Sequence, residues 1–131
     1  MDFVTGEILY IDKPLEWTSF DVVKRLRGVI LHKIHRKKFK VGHAGTLDPL
    51  ATGVLIVCTG RATRRIEALQ NGVKEYVARI RLGATTPSFD LETEIDRTYA
   101  WEHVTPEDVR RVLPTFMGRI MQVPPVFSAV K

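Results

Sequence analysis

The stretch Gly53–Gly60, GVLIVCTG, sets the strongest limit on what this chain can fold into. Six uncharged, mostly β-branched or apolar residues lie between two glycines. The run is far shorter than the ~20 residues a membrane span requires. It therefore reads as an inner strand over 54–59, buried in a sheet. Cys58 sits inside this run and is the only cysteine, so no internal disulfide can form. A reducing, cytoplasmic setting follows as the simplest expectation. The first residues, MDFVTGEILYID, lack the basic-then-apolar order of a secretory signal.

The segments around the run supply the rest of a sheet and its cover. GEILYID (6–12) reads as a strand that Lys13-Pro14 ends, because proline cannot donate to a ladder. WTSFD opens a helix, with Thr18 or Ser19 as cap and Thr18-x-x-Asp21 at capping-box spacing. Phe20, Val23, Leu26 and Ile30 recur at helical spacing, with Val22 and Val29 widening the stripe. HRKKFK (35–40) reads as loop. RATRRIEALQNG (61–72) reads as a short helix stopped at Asn71-Gly72. EYVARIRLG (75–83) alternates as a strand would, with Tyr76, Ala78, Ile80 and Leu82 on one face. The following acidic stretch is extended and partly strand. TPEDVRRVL starts a helix capped by Thr105, with Pro106 at its first position; Pro114 ends or kinks it. Two short strands are expected on either side of Pro124-Pro125. No repeat, low-complexity tract or interdomain linker is present. At 131 residues, 44% hydrophobic and 27% charged, the chain suits one globular unit. The expected class is α+β, with a mixed, largely antiparallel sheet and flanking helices.

Charge is unevenly spread. Residues 22–47 hold eight Lys/Arg and no acid, whereas residues 87–110 hold seven acids. One basic face is expected, of the kind that meets nucleic-acid phosphates. The charge pattern alone leaves a solvated helix and loop equally open. At the end of the basic tract lies GHAGTLDPLATG (42–53), with one carboxylate, Asp48. An Asp-Pro pair ordinarily starts a turn, its carboxylate accepting a backbone N–H. Here His43, Thr46 and Thr52 stand between Gly42, Gly45 and Gly53, and small residues let a ligand approach the backbone closely. A carboxylate near many cations is expected to stay ionised, as a nucleophile or general base must be. GHAG also matches the bare G-x-x-G of KH modules, but without their two joining helices. There is no phosphate-binding G-x-x-x-x-G-K-[ST]. His32 and His35 lack further ligands nearby in sequence, so no metal is expected.

GHAGTLDPLATGVL (42–55) closely resembles the signature of the TruB family of tRNA pseudouridine synthases. Four further segments resemble that family in order: LYIDKPLEWTS (9–19), GRATR (60–64), KEYVARIRLG (74–83) and QVPPVFSAVK (122–131). The resemblance implies the pseudouridine synthase catalytic fold. It also implies isomerisation of uridine to pseudouridine in the T-loop of tRNA, without a cofactor, a metal, a membrane or an obligatory protein partner. Asp48 takes the place of the catalytic carboxylate. It would attack C1′ of the ribose or remove the 2′ proton; attack on C6 of the base is an older scheme. The target base would be flipped into the pocket. By resemblance, His43, Gly45, Thr46 and Leu47 line the flipped nucleotide's space, and Tyr76 stacks on the uracil. Without the motif, Tyr76 reads as a core aromatic. Lys13-Pro14 would shape a turn behind the site. Lys37, Lys38, Lys40, Arg61 and Arg64 are candidates for phosphate contacts.

Three departures stand out. Arg64 replaces a lysine, which keeps charge but not geometry. TTPSFDLE (85–92) replaces T-D-T-x-D-x-x-G, and Phe127 replaces a tyrosine. Family members also continue past this length, into a strand whose arginine pairs with the aspartate and often into an RNA-binding tail. Residues 1–131 are thus expected to be the N-terminal portion of a catalytic domain, with an incomplete sheet. The alternative expectation is an RNA-binding fragment without turnover.

Overall fold

The computed structural model describes residues 2–121 and 123. Contacts divide it into two units, 1–76 and 77–131. In the first, strand β1 (Ile8–Lys13) is followed by helix α1 (Ser19–Ile34), β2 (Val41–His43) and β3 (Gly53–Thr59). A 3-10 segment (Gly60–Arg65) and the short helix α2 (Ile66–Gln70) complete it. The sheet order is β1-β3-β2, and both ladders are antiparallel. The apolar run is thus the central strand. Leu55, Val57 and Thr59 alternate along it, and all are buried. Val22 and Val23 of α1 pack with Leu55 and Val57 to form the core, with Leu9, Ile11, Leu26, Val41 and Leu47 around them. At the Gly53 end the opposite face of β3 is open, since Val54 is exposed.

α1 begins where expected. Thr18 accepts from the Asp21 N–H and the Asp21 carboxylate accepts from the Thr18 N–H, forming a full capping box. The bond from the Thr18 hydroxyl holds the Asp21 carboxyl below its ordinary value, aided by the Thr18 backbone bond. The helix ends at His35, whose left-handed backbone (φ 51°) caps it. The buried stripe is narrower than the sequence suggests. Ser19, Val22, Val23 and Ile30 are buried, whereas Phe20 is 61% exposed and Val29 54%. A three-stranded sheet covers only the arc around positions 19, 22, 23, 26 and 30. At 3.6 residues per turn, Phe20 falls about 60° beyond the Val23 edge of that arc and Val29 about 20° beyond its Val22 edge.

Cys58 is buried in the middle of the sheet. Burial pushes its thiol up from the ordinary value, and Arg65 offsets this only in part. The thiolate is the reactive form. Iodoacetamide should therefore label the folded protein at pH 8 far more slowly than the urea-unfolded chain, as mass spectrometry would show. Comparable rates in the two states would contradict the placement of Cys58.

The second unit contains β4 (Ala84–Thr85) paired antiparallel with β5 (Arg97–Thr98). It also contains helix α3 (Pro106–Val112) and a 3-10 turn (Leu113–Phe116). Thr105 and Asp108 make a second capping box, and Arg110–Glu107 and Arg111–Asp108 pair at 2.7 and 2.6 Å. Ser88 Oγ donates to Asp90 Oδ1 at 2.6 Å, which closes the turn where the sequence departs from the family pattern.

The alternating segment 75–83 is not a strand. A strand exists only through a ladder, and no described residue supplies one to it. The class stands as α+β with antiparallel sheets. The strands expected around Pro124-Pro125, and Phe127, lie outside the described residues.

Candidate active site

The loop between β2 and β3 carries Asp48, and α1 and the end of β1 hold that loop in place. Ser19, the first residue of α1, is buried. Its Oγ accepts from the Leu47 N–H at 2.9 Å and donates to the Leu47 carbonyl at 3.0 Å. Lys13 is fully buried at 0% exposure. Its ammonium donates to the carbonyls of Pro14 (2.9 Å), Trp17 (2.5 Å) and Pro49 (3.3 Å). Glu16 N–H adds a 2.8 Å bond to the same Pro49 carbonyl. The residues on each side of Asp48 are thus pinned by groups outside the loop. Lys13 thus ties the turn after β1 to the loop.

Asp48 itself is exposed. Its backbone carbonyl accepts from Ala51 N–H at 3.0 Å and so makes the turn. Among the described residues its carboxylate has no hydrogen-bond or ion-pair partner. In an ordinary Asp-Pro turn the side chain does this work; here the backbone does it. Among the described residues no cation of the basic tract pairs with Asp48, because the sheet carries the tract elsewhere. Val41 pairs with Thr59, so Lys40 and the residues before it meet the far end of β3 from Gly53.

His43 ends β2. Its Nδ1 lies 2.6 Å from the Gly45 carbonyl. A carbonyl can only accept, so Nδ1 carries the proton and Nε2 remains available. Gly45 has φ +108°, a conformation that strains any L side chain. Gly45→Ala should cost about 1–3 kcal/mol of stability, read as a lower urea midpoint; an unchanged midpoint would contradict this backbone. A Cβ at Gly45 would lie 3.9 Å from Lys74 Cε, so the segment leading to Tyr76 passes beside the loop. Tyr76 is 65% exposed and is not a core aromatic. Thr46 is exposed and Leu47 half-buried.

The other expected residues gather separately. Arg36, Lys38, Lys40, Arg61 and Arg64 line a cleft of about 490 Å³ with Phe39 and Thr63. Lys37 is exposed on the same loop but does not line the cleft, whereas Arg36 of the same basic tract does. Ser19, named from the sequence only as a possible helix cap, was missed as an anchor of the loop. Its position on the 19, 22, 23, 26 stripe is the signal that marks it as inward-facing. His32 and His35 rings lie 6.5 Å apart, and no cluster of three potential metal ligands occurs among the described residues.

The family profile described as "TruB family pseudouridylate synthase (N terminal domain)" matches residues 32–131. A tRNA pseudouridine synthase B from Parabacteroides distasonis is 64% identical over 131 residues, covering 100% of this chain and 56% of that protein. One from Flavobacterium johnsoniae is 50% identical, covering 99% of this chain and 57% of that protein. The chain thus spans little more than half the length of these curated relatives. The crystal structure of a Cbf5-Nop10-Gar1 complex contains a chain with TM-score 0.57 and 28% identity, covering 98% of this chain and 32% of that one. With a profile match over three quarters of its residues, the chain belongs to the TruB pseudouridylate synthase family.

Proposed function

We propose that the protein isomerises uridine to pseudouridine in the T-loop of tRNA and that Asp48 is the reacting carboxylate. The observation that carries this reading is the contrast at the loop. Leu47 and Pro49 are held by Ser19 and Lys13, while the carboxylate between them is exposed and has no partner among the described residues. A reagent needs a rigid backbone and a free functional group. Relatives called tRNA pseudouridine synthase B support the substrate.

The reaction breaks the N1–C1′ bond and joins C5 to C1′. C5 loses a proton and N1 gains one, so nothing is consumed and no cofactor is required. An exposed carboxylate suits either attack at C1′ or removal of the 2′ proton. The target base must leave its stack to reach the loop. The exposed Tyr76 ring would stack on it. His43, with its Nδ1 proton held by Gly45, would offer Nε2 to the nucleotide, and Gly45, Thr46 and Leu47 would form the pocket wall. Tritium release from tRNA carrying [5-³H]uridine tests the reading directly. Release that persists when Asp48 is replaced would refute it. The basic cleft, free of acids and of ion pairs among the described residues, favours one second reading, RNA binding without turnover. Salt-dependent tRNA binding with no tritium release would identify that case.

A further inference from the structure

The two sides of Asp48 are not held alike. After it, the chain is fixed several times over. The Pro49 ring locks its own φ and restricts the backbone of the residue before it. The Pro49 carbonyl accepts from both the Lys13 ammonium and the Glu16 N–H. Before it, Thr46 is exposed, and Gly45 is the residue type with the widest backbone freedom. Among the described residues, the hydrogen bonds that reach the backbone of Thr46, Leu47 and Asp48 from outside the loop come from one group, Ser19 Oγ.

That hydroxyl uses both of its capacities on one residue. It accepts from Leu47 N–H at 2.9 Å and donates to the Leu47 carbonyl at 3.0 Å. The Leu47 carbonyl belongs to the peptide plane that ends at the Asp48 Cα, and such a plane is rigid. Holding it at that oxygen, with the Leu47 side chain packed against the core, sets the direction in which the Asp48 side chain leaves the backbone. The hydroxyl is itself fixed. Ser19 is 3% exposed and opens α1, whose first turn is held by the Thr18–Asp21 capping box. We infer that Ser19 is a positioning residue for the proposed reaction, aiming Asp48 through the Leu47–Asp48 peptide. This rests on the reading of Asp48 as the reagent and names the contact that aims it. Because Ser19 is buried and offers nothing to RNA, its loss acts on the rate at which bound RNA reacts and not on the affinity for RNA.

The test compares Ser19→Ala, Ser19→Thr and Ile30→Val by tritium release from tRNA carrying [5-³H]uridine, each with its urea midpoint. Alanine removes both bonds. Threonine keeps the hydroxyl and adds a methyl at a packed position. Ile30 is 1% exposed near the far end of α1, so its truncation loosens the same helix away from the loop. In Ser19→Ala, kcat should fall by about 10²-fold, as for a small misplacement of a reacting group, with KM within about twofold of the parent. Ser19→Thr should recover most of kcat, even where its midpoint is no higher than that of Ser19→Ala. Ile30→Val should lower the midpoint and leave kcat unaltered, which separates aim from stability. If Ser19→Ala does not fold, Ser19→Cys takes its place; its thiol is a weak donor and acceptor, so kcat should fall between those of the parent and a variant without either bond. A substituted protein without the hydroxyl that keeps the parent kcat, a loss carried by KM, or a threonine variant as slow as the alanine one would overturn the inference. Release that Asp48→Asn abolishes but Ser19→Ala leaves intact removes the positioning role alone. Release that survives Asp48→Asn removes the reading of the site itself.

Discussion

Asp48→Asn should lower the rate of uridine isomerisation by about 10⁴-fold or more, comparable to deleting an essential reacting group in other enzymes. Asparagine keeps the shape of the side chain but can neither attack C1′ nor take up a proton. The expected loss lies in kcat, because the carboxylate is proposed to act on the reacting atoms themselves. Stability should change by less than about 0.5 kcal/mol, as for other exposed positions without partners. Tritium release in single-turnover conditions, paired with urea denaturation, separates the two effects. A variant that keeps its turnover, or one that unfolds easily, would contradict the assignment of Asp48 as reagent.

Lys13→Met should have the largest effect on stability. The buried ammonium donates to the Pro14, Trp17 and Pro49 carbonyls, and methionine leaves all three without this donor. Bonds to a charged group contribute about 1.5–3 kcal/mol each, and breaking a buried charged network costs about 3–5 kcal/mol. Pro49 keeps the Glu16 N–H bond, so a loss of about 3 kcal/mol is expected. Catalysis should fall by about 10²-fold as well, since a small shift of the reacting group is costly. Lys13→Arg should not restore either property, because a planar fork cannot replace a compact ammonium in a closed site. Equilibrium urea unfolding and tritium release measure the pair. Unaltered stability in Lys13→Met would remove the clamp from the account.

Much of this protein was legible residue by residue. The α1 capping box, the loop after α1, the strand at 54–59 and the Thr105 cap with Pro106 behind it follow from local chemistry. The glycine-rich loop identified the family before any contact was known. The misreadings share one cause. Tyr76 to Leu82 alternate as a strand would, yet a strand requires a neighbour, and periodicity cannot report whether one exists. Phe20 and Val29 fit a helical stripe, but the width of the opposing sheet decides which stripe is covered.

The basic tract is the clearest case. In sequence it runs directly into the loop of Asp48, which suggested cations around the carboxylate. Antiparallel pairing of β2 with β3 turns the chain, so the tract's end meets Arg61 and Arg64 about a strand's length from Asp48. By itself the sequence determined most local elements and the family, and it pointed to the proposed reagent, because these depend on neighbouring residues or on a contiguous motif. Only the tertiary structure decided that Ser19 and Lys13 grip the loop and that the cations form a separate cleft. Those contacts join residues 28 to 36 positions apart, and in the cleft they depend on strand register.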